Sequence, residues 1–154
     1  EEMKLRYEET QDTDLLMDVF ERNDIEVAED EFTGGHTLLL KAYAVYDDDA
    51  RGRLVGVVAL ARRMDRIIIN GIAVEPEYRR SGVASGLLAL VMEEAKAMGA
   101  DVIWIVARAP LFFESHGFEY ITADQVPEGL FDCPSCPQYN KTCFPKLMKF
   151  IFPR

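Results

Sequence analysis

Apolar positions follow two different periods along this chain, and the period changes from one segment to the next. Alternating or continuous apolar runs predict strands at MKLRYEE, HTLLLKAYAVY, RLVGVVALARR, RIIINGIAV, DVIWIVA, FEYIT and KLMKFIF. Apolar residues spaced three and four apart predict helices at TQDTDLLMDVFERN, VASGLLALVMEEAKAMG and APLFFESHG. Thr10 or Asp12 is the expected cap of the first helix, and Gly99 is the expected end of the second.

The order of these elements predicts an α/β fold with a mixed sheet. DDDARG is a turn between two β-rich runs and indicates a hairpin. The strands near residues 66–74 and 101–107 are joined by a helix, which predicts a right-handed parallel unit. Gly71 inside a strand indicates a β-bulge or a close approach to the backbone. Residues 24–35 are polar and acidic and predict a short helix and a loop.

Length and hydrophobicity limit the domain organisation. At 154 residues, of which 49% are hydrophobic, the chain is long enough for one core, so we expect a single domain over residues 1–154. No run approaches the ~18 apolar residues of a membrane helix. The segment EEMKLRYEE lacks the pattern of a signal peptide. These features predict a cytoplasmic protein with no membrane partner.

Charge is distributed unevenly in a protein whose net charge is −10. Residues 1–50 carry 16 acidic and 4 basic side chains, whereas the remainder carries 11 and 13. Because a nucleic-acid-binding surface needs a basic patch, the acidic first third argues against nucleic acid and favours a cationic partner. An acidic face that only keeps the protein soluble explains the same residues equally well.

The segment RRSGVA joins an apolar strand to a helix and concentrates the chemistry that anions need. Successive backbone N–H groups entering a helix form a positive concavity, and Gly82 lets an anion approach that backbone. Arg79 and Arg80 add charge, and Ser85 adds a hydroxyl. The site therefore fits a phosphate or pyrophosphate. The segment is neither a Walker loop nor a G-x-G-x-x-G dinucleotide fingerprint.

At IAVEPEYRRSGVASGLL the sequence resembles the GNAT superfamily of acyl-CoA-dependent N-acyltransferases. The hallmark of that family is Q/R-x-x-G-x-G/A opening a helix, matched here by Arg79, Gly82 and Ala84. A second family segment, like A-x-x-F-Y-E-x-x-G-F, is matched by APLFFESHGF. The resemblance implies a mostly antiparallel mixed sheet flanked by helices, with a splayed central parallel pair. It also implies transfer of an acetyl group from acetyl-CoA to a primary amine of a small molecule or protein.

The resemblance further implies where acetyl-CoA binds. The pyrophosphate is expected on the backbone of the turn at 80–84, with the pantetheine arm pairing with one strand in the gap and Gly71 near the acyl end. The residues expected at the cofactor are Ile72, Ala73, Val74, Arg79, Arg80, Ser81, Gly82, Val83, Ala84, Ser85 and Phe113.

The sequence does not assign the residues that transfer protons. Family members commonly place a proton-donating tyrosine where this chain has Phe113, and some hold a basic glutamate where this chain has Ile68. Tyr120 and Tyr139 are candidate donors, although each is equally explained as a half-buried packing residue. The thiolate can also leave unaided. His116 is a candidate base, although a histidine at a helix end is commonly favoured by the helix dipole alone.

All three cysteines, Cys133, Cys136 and Cys143, fall within eleven residues of the carboxy-terminal extension at 123–154. Their spacing is compatible with zinc, for which His116, His36, Asp132 or a second chain would supply the fourth ligand. A redox pair or three free thiols are the alternatives. Some GNAT relatives carry similar extensions, including short forms resembling N-acetylglutamate synthases, but the likeness fixes no substrate. A homodimer and a non-catalytic CoA-binding or metal- or redox-responsive module also stay open.

Overall fold

The computed structural model describes residues 4–22, 37–63, 66–79, 81–107, 110–122, 125 and 146–153. The strands in these ranges are β1 (Leu5–Glu9), β2 (Thr37–Asp47), β3 (Arg53–Arg63), β4 (Arg66–Val74), β5 (Val102–Ala107), β6 (Glu119–Tyr120) and β7 (Lys146–Ile151). The α-helices are α1 (Thr13–Arg22), α2 (Val83–Ala97) and α3 (Pro110–Ser115). The helix and loop predicted over residues 24–35 lie outside the described residues.

The strands form one sheet in the order β1-β2-β3-β4-β5-β7-β6. Every neighbouring pair is antiparallel except β4 and β5, which are parallel and joined through α2. The predicted mixed, mostly antiparallel α/β fold is therefore confirmed. β7 lies between β5 and β6, so the last strand belongs to the same sheet as the first.

Local signals define the ends of the helices. The backbone N–H of Leu15 donates to Oδ1 of Asp12 at 3.1 Å, so Asp12 caps α1 as expected. At the end of α2, Gly99 has φ +79° and the N–H of Ala100 donates to the carbonyl of Ala95 at 3.0 Å. This left-handed turn satisfies carbonyls of the last helical turn, which confirms Gly99 as the helix end.

The two faces of the sheet carry separate apolar cores. The face covered by α1 receives Leu16 and Val19, which pack on small residues of β2, β3 and β4. The other face is covered by α2, whose buried residues are Val83, Leu87, Leu88, Val91 and Ala95. Full burial of a Leu or Val side chain contributes about 1.5–3 kcal/mol, so both helices hold β4 firmly in the middle of the sheet.

The parallel pair separates after a short contact. Only Ile67 with Ile103 and Ile68 with Trp104 are paired between β4 and β5. Beyond Ile68, β4 stays paired with β3 as far as Val74, and β5 stays paired with β7 as far as Ala107. The predicted splay is therefore present, and it leaves a gap toward the carboxyl ends of both strands.

Candidate functional site

The edge of β4 that borders the gap carries backbone groups turned away from β3. The N–H of Glu75 donates to the carbonyl of Val55 at 2.8 Å, which makes this a hydrogen-bonded pair of the antiparallel ladder. Because hydrogen-bonded and non-bonded pairs alternate, Ala73 also bonds with β3, whereas Ile72 and Val74 direct their N–H and C=O groups toward the gap. Of the three residues expected to meet the pantetheine arm, two thus present their backbone to the gap.

A β-bulge interrupts β4 where the gap begins. Ala59 is paired with Gly71 and Leu60 with Ile69, so Asn70 is the extra residue. This confirms the bulge that Gly71 predicted. Nδ2 of Asn70 is buried and, within the described part of the chain, has no hydrogen-bond partner.

The segment after β4 is folded back on the strand. A 3₁₀ turn spans Pro76–Tyr78. Nε of Arg79 donates to the carbonyl of Val74 at 3.1 Å, and the hydroxyl of Ser81 donates to the carbonyl of Tyr78. These contacts bring the Arg79 guanidinium to the carboxyl end of β4, beside the gap.

Tyr78 anchors this turn to the hairpin between β2 and β3. Its side chain is buried, and its hydroxyl donates to Oδ2 of Asp47 at 2.6 Å. Oδ1 of Asp47 accepts from the N–H of Asp49 at 3.0 Å, so the carboxylate is held from two sides. The hydrogen bond to Asp47, followed by burial, raises the pKa of Tyr78 above its usual value.

The amino end of α2 is open toward the gap side of the turn. Gly82 precedes the helix with φ +89°, and no side chain caps the helix there within the described residues. A Cβ atom added at Gly82 would meet nothing within 4 Å. The first-turn N–H groups are therefore exposed to an approaching anion, and the helix dipole favours negative charge at this end.

His116 belongs to this end of the site. Its Nε2 lies 3.1 Å from Oγ of Ser85, and its Nδ1 lies 2.8 Å from the carbonyl oxygen of Phe112. Since a carbonyl only accepts, Nδ1 carries a proton, and Nε2 shares a hydrogen bond with the Ser85 hydroxyl. His116 thus links α3 to the first turn of α2.

Phe113 is a core residue. Its side chain is 2% exposed and makes edge contacts with Phe112, at a centroid distance of 5.1 Å, and with Phe118, at 5.3 Å. A buried phenyl ring offers neither a proton nor a polar contact, so this position supplies packing beneath α3.

Tyr120 lies far across the sheet from the parallel pair. It is 47% exposed on β6, and a hydrogen bond to the Glu114 carboxylate raises its pKa above the usual value. Because β7 separates β6 from β5 and neighbouring strands are about 4.8 Å apart, Tyr120 is roughly 10 Å from β5.

Several expected site residues fall outside the described residues, and their predictions stay untested there. These are Arg80, Tyr139, His36, Asp132 and the cysteines Cys133, Cys136 and Cys143. Within the described ranges, no group of three or more His, Cys, Asp or Glu side chains is placed to hold a metal ion. In the same ranges, no helix is long and apolar enough to cross a membrane.

A second concavity lies at the opposite ends of the parallel strands. Its lining includes Arg62, Arg66, Asp101 and Trp104. Ligands of open α/β sheets bind outside the carboxyl ends of the strands, and this groove is at the amino ends. We therefore assign the candidate site to the gap.

Two features of the site were not predicted from the sequence. Asn70 is a polar residue inside the apolar run RIIINGIAV, and this contrast is the feature of the sequence that could have identified it. The pair formed by Asp47 and Tyr78 joins residues 31 positions apart and has no local signal.

Residues 4–118 match the family model described as the acetyltransferase (GNAT) family. The fold is similar to that of N-acetylglutamate synthase from Neisseria gonorrhoeae, solved with coenzyme A and N-acetyl-glutamate, at 18% identity and a TM-score of 0.72. It is similar to the ribosomal-protein-S18-alanine N-acetyltransferase from Escherichia coli at 19% identity and a TM-score of 0.65. Rv2747 from Mycobacterium tuberculosis, solved with CoA and NLQ, is similar at 20% identity and a TM-score of 0.65.

The lengths of these proteins differ. The Neisseria match covers 100% of this chain but 36% of the synthase, so the chain spans about a third of that protein. The Escherichia coli match covers 97% of this chain and 95% of that chain, and the Mycobacterium match covers 97% and 99%.

Proposed function

The chain belongs to the acetyltransferase (GNAT) family, and we propose that it binds acetyl-CoA in the gap between β4 and β5, with the pyrophosphate on the first turn of α2. The observation that carries this proposal is the amino end of α2. There Gly82 leaves the first-turn N–H groups open and no described side chain caps them.

The pyrophosphate fits this turn by charge and by shape. Its oxygens accept hydrogen bonds from backbone N–H groups of residues 82–85, and Gly82 supplies the room that a side chain would fill. Arg79, held by Val74, adds a positive charge at the carboxyl end of β4. The hydroxyl of Ser85, oriented by His116, lies in the same helical turn.

The pantetheine arm fits the edge of β4. Its two amides need partners of the kind a neighbouring strand would offer. The backbone groups of Ile72 and the N–H of Val74 are such groups where β5 has moved away, while the carbonyl of Val74 is bonded to Arg79. An arm that extends from the turn toward Asn70 and Gly71 brings the thioester to the closed end of the gap.

A thioester and an amine held next to each other in this gap can then react by acetyl transfer. A neutral amine attacks the thioester carbonyl carbon, the new C–N bond forms, and the C–S bond breaks with its electron pair passing to sulfur. The amine loses its proton to a base or to the departing thiolate. An alkylamine has a pKa near 10.4, so it is mostly protonated at neutral pH and must lose a proton before attack.

We propose a primary amine of a small molecule or protein as the acceptor, with a cationic acceptor favoured. Asp12 and Asp14 are exposed at the start of α1, on the side of the sheet opposite α2. Carboxylates there attract a cation toward the site at low ionic strength. A cytoplasmic location, a homodimer and zinc at the three cysteines stay predictions from the sequence.

The cofactor site is tested with two glycines that flank the same helix. Gly82 and Gly99 both have positive φ, +89° and +79°, and an added Cβ meets nothing within 4 Å at either. Gly82→Trp and Gly99→Trp should each lose about 1–2 kcal/mol of stability from the backbone conformation. Only Gly82→Trp should weaken CoA binding, by at least about tenfold, measured by calorimetric titration. Retained affinity in Gly82→Trp contradicts the proposed site.

The acceptor is tested by thiol release from acetyl-CoA across a panel of amines. The panel pairs cationic amines, such as diamines and basic amino acids, with neutral and acidic amino acids of similar size. Faster turnover of the cationic members, reduced by added salt, supports the proposed preference. Equal or faster turnover of acidic amino acids contradicts it. Tight CoA binding without turnover of any member favours a non-catalytic module.

A further inference from the structure

The side chain of Asn70 carries one polar atom whose burial no contact within the described residues explains. Its Nδ2 atom is buried, and no described residue accepts a hydrogen bond from it. A buried N–H donor that lacks an acceptor costs roughly 1–3 kcal/mol. Native structures contain only a few such groups and each calls for an explanation, which an acceptor that arrives with a ligand supplies at Asn70.

The bulge determines which face of the sheet Asn70 occupies. Ile69 and Ile72 pack in the core on the α2 face, whereas Ile68 and Ala73 pack in the clusters on the opposite face. In a regular strand, one residue separates two successive residues on the same face. Here two residues separate Ile69 from Ile72. Asn70 and Gly71 therefore both belong to the face covered by α1.

Asn70 also lies at the closed end of the gap. Ile68, two residues before it, is the last residue of β4 paired with β5. A ligand that enters along β4 from the turn at Gly82 is stopped there, because β5 occupies the next position beyond. The end of such a ligand therefore meets the bulge.

We propose that the side-chain amide of Asn70 donates a hydrogen bond to the carbonyl oxygen of the bound thioester, which makes Asn70 a catalytic residue of acetyl transfer. This inference rests on the proposed binding of acetyl-CoA in the gap. The carbonyl oxygen gains negative charge when the amine adds to the carbonyl carbon, and it returns to a neutral carbonyl when the C–S bond breaks. The hydrogen bond from a fixed N–H donor to that oxygen is strongest when the oxygen carries the most negative charge.

The unsatisfied N–H group of Asn70 lowers the stability of the protein without ligand. The same group is a hydrogen-bond donor that is already in place for the reaction. The Nδ2 atom is already desolvated, and its backbone belongs to a bulged strand in the middle of the sheet, so little reorganisation accompanies the reaction. Asn70→Leu removes the donor at similar size. Asn70→Asp keeps the shape and replaces the N–H donor by an oxygen. Ile69→Val is the control, because it changes the neighbouring side chain on the opposite face.

The experiment reads the thioester directly and needs no acceptor. Isotope-labelled acetyl-CoA is bound to each protein, and the infrared stretching frequency of its carbonyl is compared with that in solution. We expect a lowered frequency in the wild-type protein and in Ile69→Val, and a frequency near the solution value in Asn70→Leu and Asn70→Asp. With the best amine of the panel, kcat should fall at least about tenfold in both Asn70 variants, while the dissociation constant for CoA is unchanged.

Thermal unfolding separates this role from a structural one. Asn70→Leu should keep or raise Tm, because the unsatisfied donor is gone. A lowered Tm in that variant, with carbonyl frequency and kcat as in the wild type, would overturn the inference. If the wild-type protein does not bind CoA at all, the proposed function fails first. If acetyl-CoA binds with the same thioester carbonyl frequency in the wild type and in Asn70→Leu, the inference alone fails.

Discussion

Oγ of Ser85 lies 3.1 Å from Nε2 of His116, so the first turn of α2 is hydrogen-bonded to the end of α3. The ring is fixed on its other side by the carbonyl of Phe112, at 2.8 Å from Nδ1. Both nitrogens are therefore engaged within the protein. This arrangement favours a positioning role at the phosphate end of the cofactor over a role as general base.

We expect His116→Ala to raise KM for acetyl-CoA about two- to tenfold, which corresponds to the typical net value of one hydrogen bond. The value of kcat at saturating acetyl-CoA should stay near that of the wild type. Ser85→Ala should have the same effect on KM, and the double variant should add little, because both single changes remove one shared bond. A fall in kcat of about a hundredfold or more in His116→Ala would identify His116 as the base instead.

The lack of a side chain at Gly86 leaves room for the ring of Tyr7 against α2. A Cβ atom at Gly86 would lie 2.6 Å from the hydroxyl oxygen of Tyr7 and 3.0 Å from Cζ. Alanine is about 1 kcal/mol better than glycine inside a helix, so the clash and the helix propensity oppose each other. We expect Gly86→Ala to stabilise the Tyr7→Ala protein by about 0.5–1 kcal/mol and to be neutral or destabilising in the wild type.

Urea unfolding of the four proteins in this cycle measures the coupling between the two positions. Tyr7→Ala alone provides the reference for the lost ring. An equal effect of Gly86→Ala in both backgrounds would show that Tyr7 does not contact α2 at Gly86.

Tyr78 should make stability sensitive to alkaline pH. Its hydrogen bond to the buried Asp47 raises the pKa of the phenol in the folded protein, whereas the unfolded chain releases this proton near pH 10. Between these two values the folded state binds more protons, so the free energy of unfolding falls as pH rises above about 10. The contribution is fully present below that pH.

Replacement of Tyr78 by Phe checks this sign. The variant should be less stable at neutral pH, because Asp47 loses a donor, and its stability should fall less steeply above about pH 10. Urea unfolding at a series of pH values gives both quantities. Parallel curves for the two proteins would contradict the assignment. Tyr7 and Tyr43, whose pKa values burial raises, contribute to the slope that remains.

Local signals predicted most of the fold because their physical causes are local. Asp12 caps α1 with its own side chain, Gly99 ends α2 through its positive φ, and Gly71 marks the bulge in β4. The splay of β4 and β5 came from the family resemblance, since no pattern within either strand shows where pairing stops.

Contacts between distant segments were not predictable in the same way. Asp47 and Tyr78 are brought together by the hairpin and the turn after β4. The sequence around each residue does not distinguish it from an ordinary surface residue. The unsatisfied amide of Asn70 depends on what surrounds it after folding, and sequence patterns do not report that. Both depend on tertiary structure.

The phenylalanine at position 113 lies deep in the core. Phe113 is 2% exposed and packs edge-on against Phe112 and Phe118, so a hydroxyl added to its ring would be buried. We expect Phe113→Tyr to lose about 1–3 kcal/mol of stability, the cost of a buried polar group without a partner, and to leave kcat no higher than in the wild type. Phe112→Tyr is the matched control, since Phe112 is only half-buried on the same helix. Urea unfolding and thiol release measure the two effects, and a rise in kcat with unchanged stability would show that the site does have room for a proton donor at this position.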